Sequence, residues 1–557
     1  MDLTTALTGA LPFIILVSAV LTMIFSFLLL WLYRRAVIRS MGASGGSNTP
    51  TTVASTQVAA DNLSPLTITT LKDKALLQGR AKVLFDATSV SLQRLALVYG
   101  VAGVIYALVL SLPWMITAGG GFPLVRFLWL FVCYAWPGVI VVAVVAATSP
   151  TQKQLVFAIY FSIVALIGAV VILRNPESSI GQLLYFWLFA NGAPTLLLTT
   201  YLLRRIRAVG PLVLTFMVAG VTGAVILVTI IGSSETMLRG FTQAGLLIGV
   251  GATPVFALIN LLGFILLGLF GWWLLGRLGS AYRAKRMSDQ SLNLDALWLM
   301  FALFQSITLA FEGWLWIFTG LVAFILYKQI TRIGFSKLKS HINSKKPPSV
   351  LLLRVFSLGR KSERMFDTLS RRWLRVGNID MIAGPDLVTT TVEPHEFLDY
   401  MGGHLSRSFI DTPSVFEKRF SFRDCRPDPD GRYRVNEFFC RNDTWQICMQ
   451  RLAAECDVVL MDLRSFSKQN QGCLWELEQL LTTVSLDRIL FVVDDTTDKT
   501  FLEQQLQRLW KQHLGSSPNL GLAKPQVKLF SVQSTIPRVA DQLTKRLFEA
   551  CYPTNSA

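Results

Sequence analysis

Residues 11–32 carry no charged side chain. A helix of about 20 apolar residues crosses the roughly 30 Å hydrocarbon core of a bilayer, so this run alone constrains the chain to meet a membrane. Further apolar runs follow at about 95–116, 125–147, 154–173, 181–203 and 209–231, with longer ones within 244–276 and 296–327. None lies beyond residue 350. The composition agrees, since a 557-residue chain that is 52% hydrophobic and 16% charged is too apolar for an ordinary soluble protein.

Charge orients these runs. The chain has a net charge of +17, but from residue 351 onward 27 Lys/Arg face 26 Asp/Glu. The basic excess therefore sits in the apolar half, where it marks membrane topology, and the nearly neutral second half is unsuited to nucleic acid. Arg34, Arg35 and Arg39 follow the first run at once, which puts its N-terminus outside. The run is too long for a signal-peptide core and is read as a retained helix. The loop charges then alternate: Lys153, Arg204, Arg205, Arg207, Arg283, Lys285 and Arg286 mark the inner side, and Arg126, Arg174 and Arg239 the outer. The block at 296–327 is flanked by basic residues and reads as a tight hairpin turning near Glu312 and Gly313. The total is about nine spans with a cytoplasmic C-terminus, and Lys337, Lys339, Lys345 and Lys346 fit that side. Glu312 is either an ion ligand or a hairpin tip at the outer interface. Gly249, Gly251, Pro254 and Asn260 are the positions where a span could be interrupted, as at transporter sites.

The second half changes pattern. "VLLLRVFS" reads as a strand buried on both faces, and "RKSERMFDTLSRRW" as a helix with Met365, Phe366, Leu369 and Trp373 on one side. "YRVNEFFC", "CDVVLMDL", "RILFVVD" and "VKLFSVQ" read as four more strands, each followed by a helical pattern. Five strands alternating with five helices predict an α/β domain with a parallel five-stranded sheet, whose ligands bind beyond the carboxyl ends of the strands. Residues 378–430 read as an insertion, with "IDMIAGPDL" as an extra strand and "PHEFLDYMGGHL" as a helix. His395 and Glu396 lack the second histidine of a zinc-protease helix, and the seven cysteines show no CxxC spacing, so no metal site is assigned. Free thiols in a reduced compartment are the expectation.

The helix "NQGCLWELEQLL" carries two carboxylates beside its apolar stripe. At 100° per residue Cys473, Leu474, Leu477, Leu480 and Leu481 share one side, with Glu476 and Glu478 on opposite borders and Trp475 pointing away. Geometry alone gives both glutamates equal standing. At the other end of the domain, Ser357, Gly359, Arg360 and Lys361 sit where a strand enters a helix. That start is either a simple capped terminus or an anion site.

The order of elements and the stretch "CDVVLMDLRSFSKQNQGCLWEL" resemble the TIR domain of immune receptors and bacterial defence proteins. The pattern C-x-x-E-L that opens the family's helix stands here as Cys473, Leu474, Trp475, Glu476, Leu477, and "LRVFSLGRKSERMF" is similar to its first strand and loop. The resemblance covers about residues 350–550. It implies a flavodoxin-like fold and, in the enzymatic members, hydrolysis of NAD at the nicotinamide–ribose bond with Glu476 as the essential carboxylate. It also implies NAD as substrate rather than cofactor, with Ser357, Gly359, Arg360 and Lys361 holding the pyrophosphate, and a homo-oligomer.

The expected architecture is an α-helical polytopic membrane domain plus a cytosolic TIR-like domain. Residues 1–39 hold the first span, 40–93 a cytoplasmic linker and basic segment, 94–328 the remaining spans, 329–349 a basic linker, and 350–557 the TIR-like domain. The expected protein sits in the bacterial inner membrane with the lipid bilayer as one partner. Three functions compete: an NAD hydrolase in defence, a non-enzymatic domain that senses a nucleotide or partner and controls a pore, and a transporter with a regulatory domain.

Overall fold

The computed structural model describes residues 3–42, 64–71, 77–117, 123–147, 150–201, 206, 208–247, 249, 251–310, 313–338, 346–355, 360–384, 392–441, 444–512, 517–532 and 536–552. The chain forms two compact units. The first holds Met1–Leu32, Gln93–Leu338 and Val392–Met401, and the second Tyr33–Leu92, Lys339–Thr391 and Gly402–Ala557.

Among the described residues the first unit is helical. Its helices are α1 (Leu3–Gly42), α2 (Gly79–Ile116), α3 (Leu124–Ala146), α4 (Pro150–Arg174), α5 (Ile180–Tyr201), α6 (Gly210–Ser233), α7 (Glu235–Leu247), α8 (Ala252–Arg283), α9 (Asp289–Ala310) and α10 (Phe318–Leu338). Helices α1 and α2 each contribute one end to the second unit. Six of these helices, α1, α2, α3, α4, α6 and α8, are long and apolar enough to cross a membrane. That corrects the expected nine spans: the run expected at 181–203, which is α5, and the two spans of the 296–327 hairpin are not among the six. The 296–327 block is two helices, α9 and α10, joined through a 3-10 turn at Trp314–Ile317, and both carry charge. Helix α9 starts at Asp289 and includes Asp295, which accepts hydrogen bonds from Lys328 Nζ at 2.5 Å and Tyr327 Oη at 3.2 Å. Helix α10 holds Lys328, Arg332 and Lys337. Glu312 lies outside the described residues. The outer loop expected after residue 231 is largely the helix α7, and α8 continues unbroken past Pro254 and Asn260, whose amide donates to the Phe256 carbonyl at 2.9 Å.

Packing in this unit uses small residues and buried polar side chains, as apolar helices lacking a hydrophobic drive to associate must do. Gly223 of α6 and Gly263 of α8 touch so closely that a Cβ on Gly223 would lie 2.1 Å from the Gly263 carbonyl oxygen. Tyr106 donates to Gln305 at 2.7 Å, Gln305 to Asn191 at 2.9 Å, and Asn191 to the Cys133 carbonyl at 3.1 Å, linking α2, α9, α5 and α3. Buried polar groups paired in this way avoid the cost of an unmade hydrogen bond.

The second unit is an α/β layer structure. Its strands are β1 (Thr67–Leu71), β2 (Ser349–Arg354), β3 (Asn378–Ile382), β4 (Phe409–Ile410), β5 (Val435–Cys440), β6 (Val458–Asp462), β7 (Ile489–Val493) and β8 (Gln526–Ser531). They form one sheet in the order β1-β8-β7-β6-β2-β3-β5-β4, and every pairing is parallel. The intervening helices are α11 (Arg360–Trp373), α12 (Pro394–Met401, part of the first unit), α13 (Pro413–Ser421), α14 (Trp445–Glu455), α15 (Gln471–Thr483), α16 (Lys499–Gln512) and α17 (Ile536–Cys551).

Eight strands replace the expected five-stranded flavodoxin-like sheet. The strand β3 falls within the stretch read as an insertion, yet it is buried throughout and pairs with β2, Val350 opposite Ile379. It is the extra strand expected at "IDMIAGPDL", and it lies inside the sheet between β2 and β5 rather than in an insertion. Asn378 and Asp380 break the apolar pattern, but Asp380 is fully buried and accepts from Asn378 at 2.9 Å, Asn436 at 2.7 Å and Arg423 at 3.3 Å. Burial pushes the Asp380 carboxyl above the usual range, against the pull of Asn436 and Arg423. The strand β1, "TITTL", lies in the segment read as linker and is ordered by partners distant in sequence: it pairs with β8, Ile68 opposite Val527, and Gln507 donates to the Leu66 carbonyl at 2.7 Å.

The residues of β2, β6 and β7 alternate between two cores. Leu351, Leu353, Val459, Met461 and Phe491 pack with α13, α14, α15 and α16. Val350, Leu352, Val458, Leu460 and Val492 pack with α11, α17 and the first turns of α2. A sheet buried on both faces needs near-continuous apolar strands, which β2, β6 and β7 supply. The chain steps from β2 outward to β3 and later returns to β6 on the other side of β2. The strand order therefore reverses at β2, the place where open parallel sheets hold ligands.

Candidate functional site

A cavity of about 750 Å³ opens at this reversal, beyond the carboxyl ends of β3 and β5. Ile382 and Ala383 end β3, Cys440 and Arg441 end β5, and Trp445 opens α14. Gln469, Asn470 and the first turns of α15 form another wall, with Glu476 in it. Ile38 and Met41 of α1, both within the second unit, complete the lining.

The loop between β6 and α15 is held by its own polar groups. Asp462 is fully buried and accepts from Arg464 Nε at 2.8 Å, Nη2 at 2.7 Å and the backbone N–H at 3.2 Å. Ser465 adopts a left-handed φ of 59°, uncommon for a residue with a side chain. Asn470 Oδ1 accepts from the Ser467 N–H at 2.9 Å, fixing the approach to α15. The Asp498 N–H donates to the Phe466 carbonyl at 3.0 Å, and Thr497 Oγ1 to that of Leu463 at 3.0 Å. The loop is thus tied to the turn after β7 and presents α15 in one orientation.

Glu476 is 5% exposed, and its Oε2 has no hydrogen-bond partner among the described residues. Burial pushes its carboxyl up to about 8, with the Arg354 guanidinium pulling the other way. Arg354 ends β2, is itself buried, and reaches the Ile382 carbonyl at 3.5 Å. The cavity wall therefore contains a carboxyl that burial holds toward its neutral form, and a positive charge placed beside it favours the anion. Arg441 at the rim pairs with Asp411, and burial pushes the Cys473 thiol beside Glu476 up, which favours its protonated form.

The structure separates the two glutamates that geometry left equal. Glu476 is buried in the cavity wall and Glu478 is half-buried outside it. Trp475, expected to point away from the core, is buried and stands edge-to-face on Trp445 with centroids 5.0 Å apart. Helix α14 covers α15 on a second side, which widens its buried face beyond the stripe. Of the other expected site residues, Ser357 and Gly359 lie outside the described residues, while Arg360 and Lys361 open α11 directly after β2. His395 lies on α12 of the first unit, stacked on Tyr282 and 3.3 Å from Glu393. Sequence reasoning missed Arg354, Trp445, Ile38 and Met41, while Arg441 falls in the strand end expected at 440–443. Arg354 had a signal, being the one charge inside "VLLLRVFS".

Compared with known proteins, the chain matches no family model, no curated protein and no solved structure at a significant level.

Proposed function

We propose that the second unit is a cytoplasmic nucleotide hydrolase of the bacterial inner membrane that cleaves NAD at the nicotinamide–ribose bond, with Glu476 as the catalytic carboxylate. What carries this reading is the Glu476 carboxyl, with Oε2 unpartnered among the described residues, in the wall of a cavity at the strand carboxyl ends. The TIR-like motif around Cys473 points to the same residue. In the reaction the bond between ribose C1 and the pyridinium nitrogen breaks and its electron pair returns to the ring. Nicotinamide leaves neutral, so no general acid is needed. Positive charge develops at C1, where a carboxylate stabilises it, and water then adds to C1 with loss of a proton. NAD brings its own cation, the pyridinium, and so favours the ionised form of Glu476 before any bond breaks. For the pyrophosphate the sequence offers Ser357, Gly359, Arg360 and Lys361; of these Arg360 and Lys361 open α11, and a helix N-terminus favours anions. The resemblance further implies a homo-oligomer and a role in anti-phage or stress defence.

A second reading has one observation in its favour. Burial pushes the Glu476 carboxyl up to about 8, and a carboxyl held toward its neutral form suits a site that binds a nucleotide without turnover and signals to the membrane helices.

Purified full-length protein incubated with NAD decides between them. Release of nicotinamide supports hydrolysis. Intact NAD together with a raised unfolding temperature supports binding alone, and neither effect rejects both. Localisation has its own test: a reporter fused after Ala557 should behave as cytoplasmic. Periplasmic behaviour would remove the domain from cellular NAD and overturn the proposal.

A further inference from the structure

We infer that the last turn of α1 is a wall of the ligand site, so that the cavity recognises its ligand only while the first membrane helix holds its place. This rests on the nucleotide reading for the identity of the ligand. The cavity is lined by Ile38 and Met41 of α1 on one side and by Ile382, Trp445 and the start of α15 on others. Ile38 is 40% exposed, so this wall keeps uncovered apolar surface in a site that also contains the Glu476 carboxyl. A flat heterocycle such as pyridinium or a purine needs an apolar surface along its faces and a polar group at its edge. The aliphatic pair on α1 supplies the first and Glu476 the second.

The wall is also the end of a membrane helix. Helix α1 is unbroken from Leu3 to Gly42, and its apolar stretch Phe13–Met41 is long enough to cross a bilayer. Ile38 and Met41 are one turn apart at the carboxyl end of that stretch, so a shift or rotation of the helix moves both together. Binding and helix position are then linked in both directions: whatever displaces α1 weakens the ligand, and ligand holds α1. The membrane helix becomes a control element for the site rather than an anchor.

The test uses full-length protein in detergent. Ile38→Cys is labelled with a maleimide, with modification at position 38 read by mass spectrometry, in the presence and absence of NAD. In parallel, NAD binding is measured for Glu476→Gln with and without Ile38→Ala and Met41→Ala. Ile24→Ala, on the same helix and away from the cavity, is the control. The expected results are protection of the introduced thiol by NAD and about a tenfold loss of affinity when both alanine changes are present, as withdrawal of apolar surface from a ligand predicts. The control should be unchanged. Ile38→Cys is a mild change and keeps the labelling arm informative if the double alanine variant folds poorly. Cleavage of NAD by wild type without protection of the introduced thiol overturns this inference alone. Protection without cleavage supports it and rejects the hydrolase. Neither cleavage nor protection overturns both.

Discussion

Glu476→Gln should abolish NAD cleavage while the protein remains folded. The amide keeps the size and shape of the side chain, so the packing of α15 between α14 and the sheet is retained. What it removes is the negative charge that the ribose cation requires. A charge aimed at a developing opposite charge in a water-poor site is worth about a hundredfold to a thousandfold in rate. The loss should appear in kcat, because the carboxylate acts most strongly in the transition state. Glu478→Gln should retain most activity, since that side chain stands outside the cavity. The pair therefore separates a charge in the site from charge on the helix. Wild-type cleavage by well-folded Glu476→Gln would reject the catalytic assignment and leave nucleotide binding as the surviving reading.

The parts of the fold legible in the sequence are those that one local pattern determines. The runs β2, β6 and β7 are nearly continuous in apolar residues because both faces of the sheet are covered, and they stand where "VLLLRVFS", "CDVVLMDL" and "RILFVVD" put them. Strands whose order comes from partners were assigned to an insertion, as β3 was, or to a linker, as β1 was. The strand β3 carries a buried aspartate that only Asn436 and Arg423, more than forty residues away, make tolerable. The strand β1 is mostly threonine and exists through its pairing with β8. The span count failed for a related reason. Asp295 and Lys328 neutralise each other across α9 and α10, so the apolar block between them looked like a complete pair of spans.

The site shows the same division. A short motif singled out Glu476, but periodicity could not tell it from Glu478, because both border the stripe on one helix. The difference is tertiary: the ends of β3 and β5 and the side chain of Trp445 lie on the Glu476 side and enclose it. Arg354, Arg441 and the α1 pair come from three separated parts of the chain. No spacing rule connects them: the sheet order sets the ends of β2 and β5 near α15, and α1 adds its last turn from a helix outside the sheet.

Cleavage of NAD should rise with pH and level off near pH 8. The carboxylate is the competent form and the carboxyl in the free site titrates at about 8. Below that value kcat/KM, which reports the free protein, should fall about tenfold per pH unit, reaching roughly one-hundredth of its plateau near pH 6. The same group makes an opposite statement about stability. Its folded value lies above the unfolded glutamate value near 4.5, so between about pH 4.5 and 8 the folded state holds the extra proton. Stability from this position is then greatest at low pH and is lost as pH rises through that window. The full shift corresponds to a few kcal/mol, at about 1.4 kcal/mol per pH unit. Glu476→Gln cannot titrate and escapes the loss. Hydrogen exchange of α15 amides, compared between variant and wild type at each pH, reads this local term in a protein of several units. Protection should be nearly equal at pH 5 and greater in the variant at pH 9. A difference independent of pH would mean that Glu476 is already ionised throughout, held by Arg354, and the rise of kcat/KM toward pH 8 should then vanish with it.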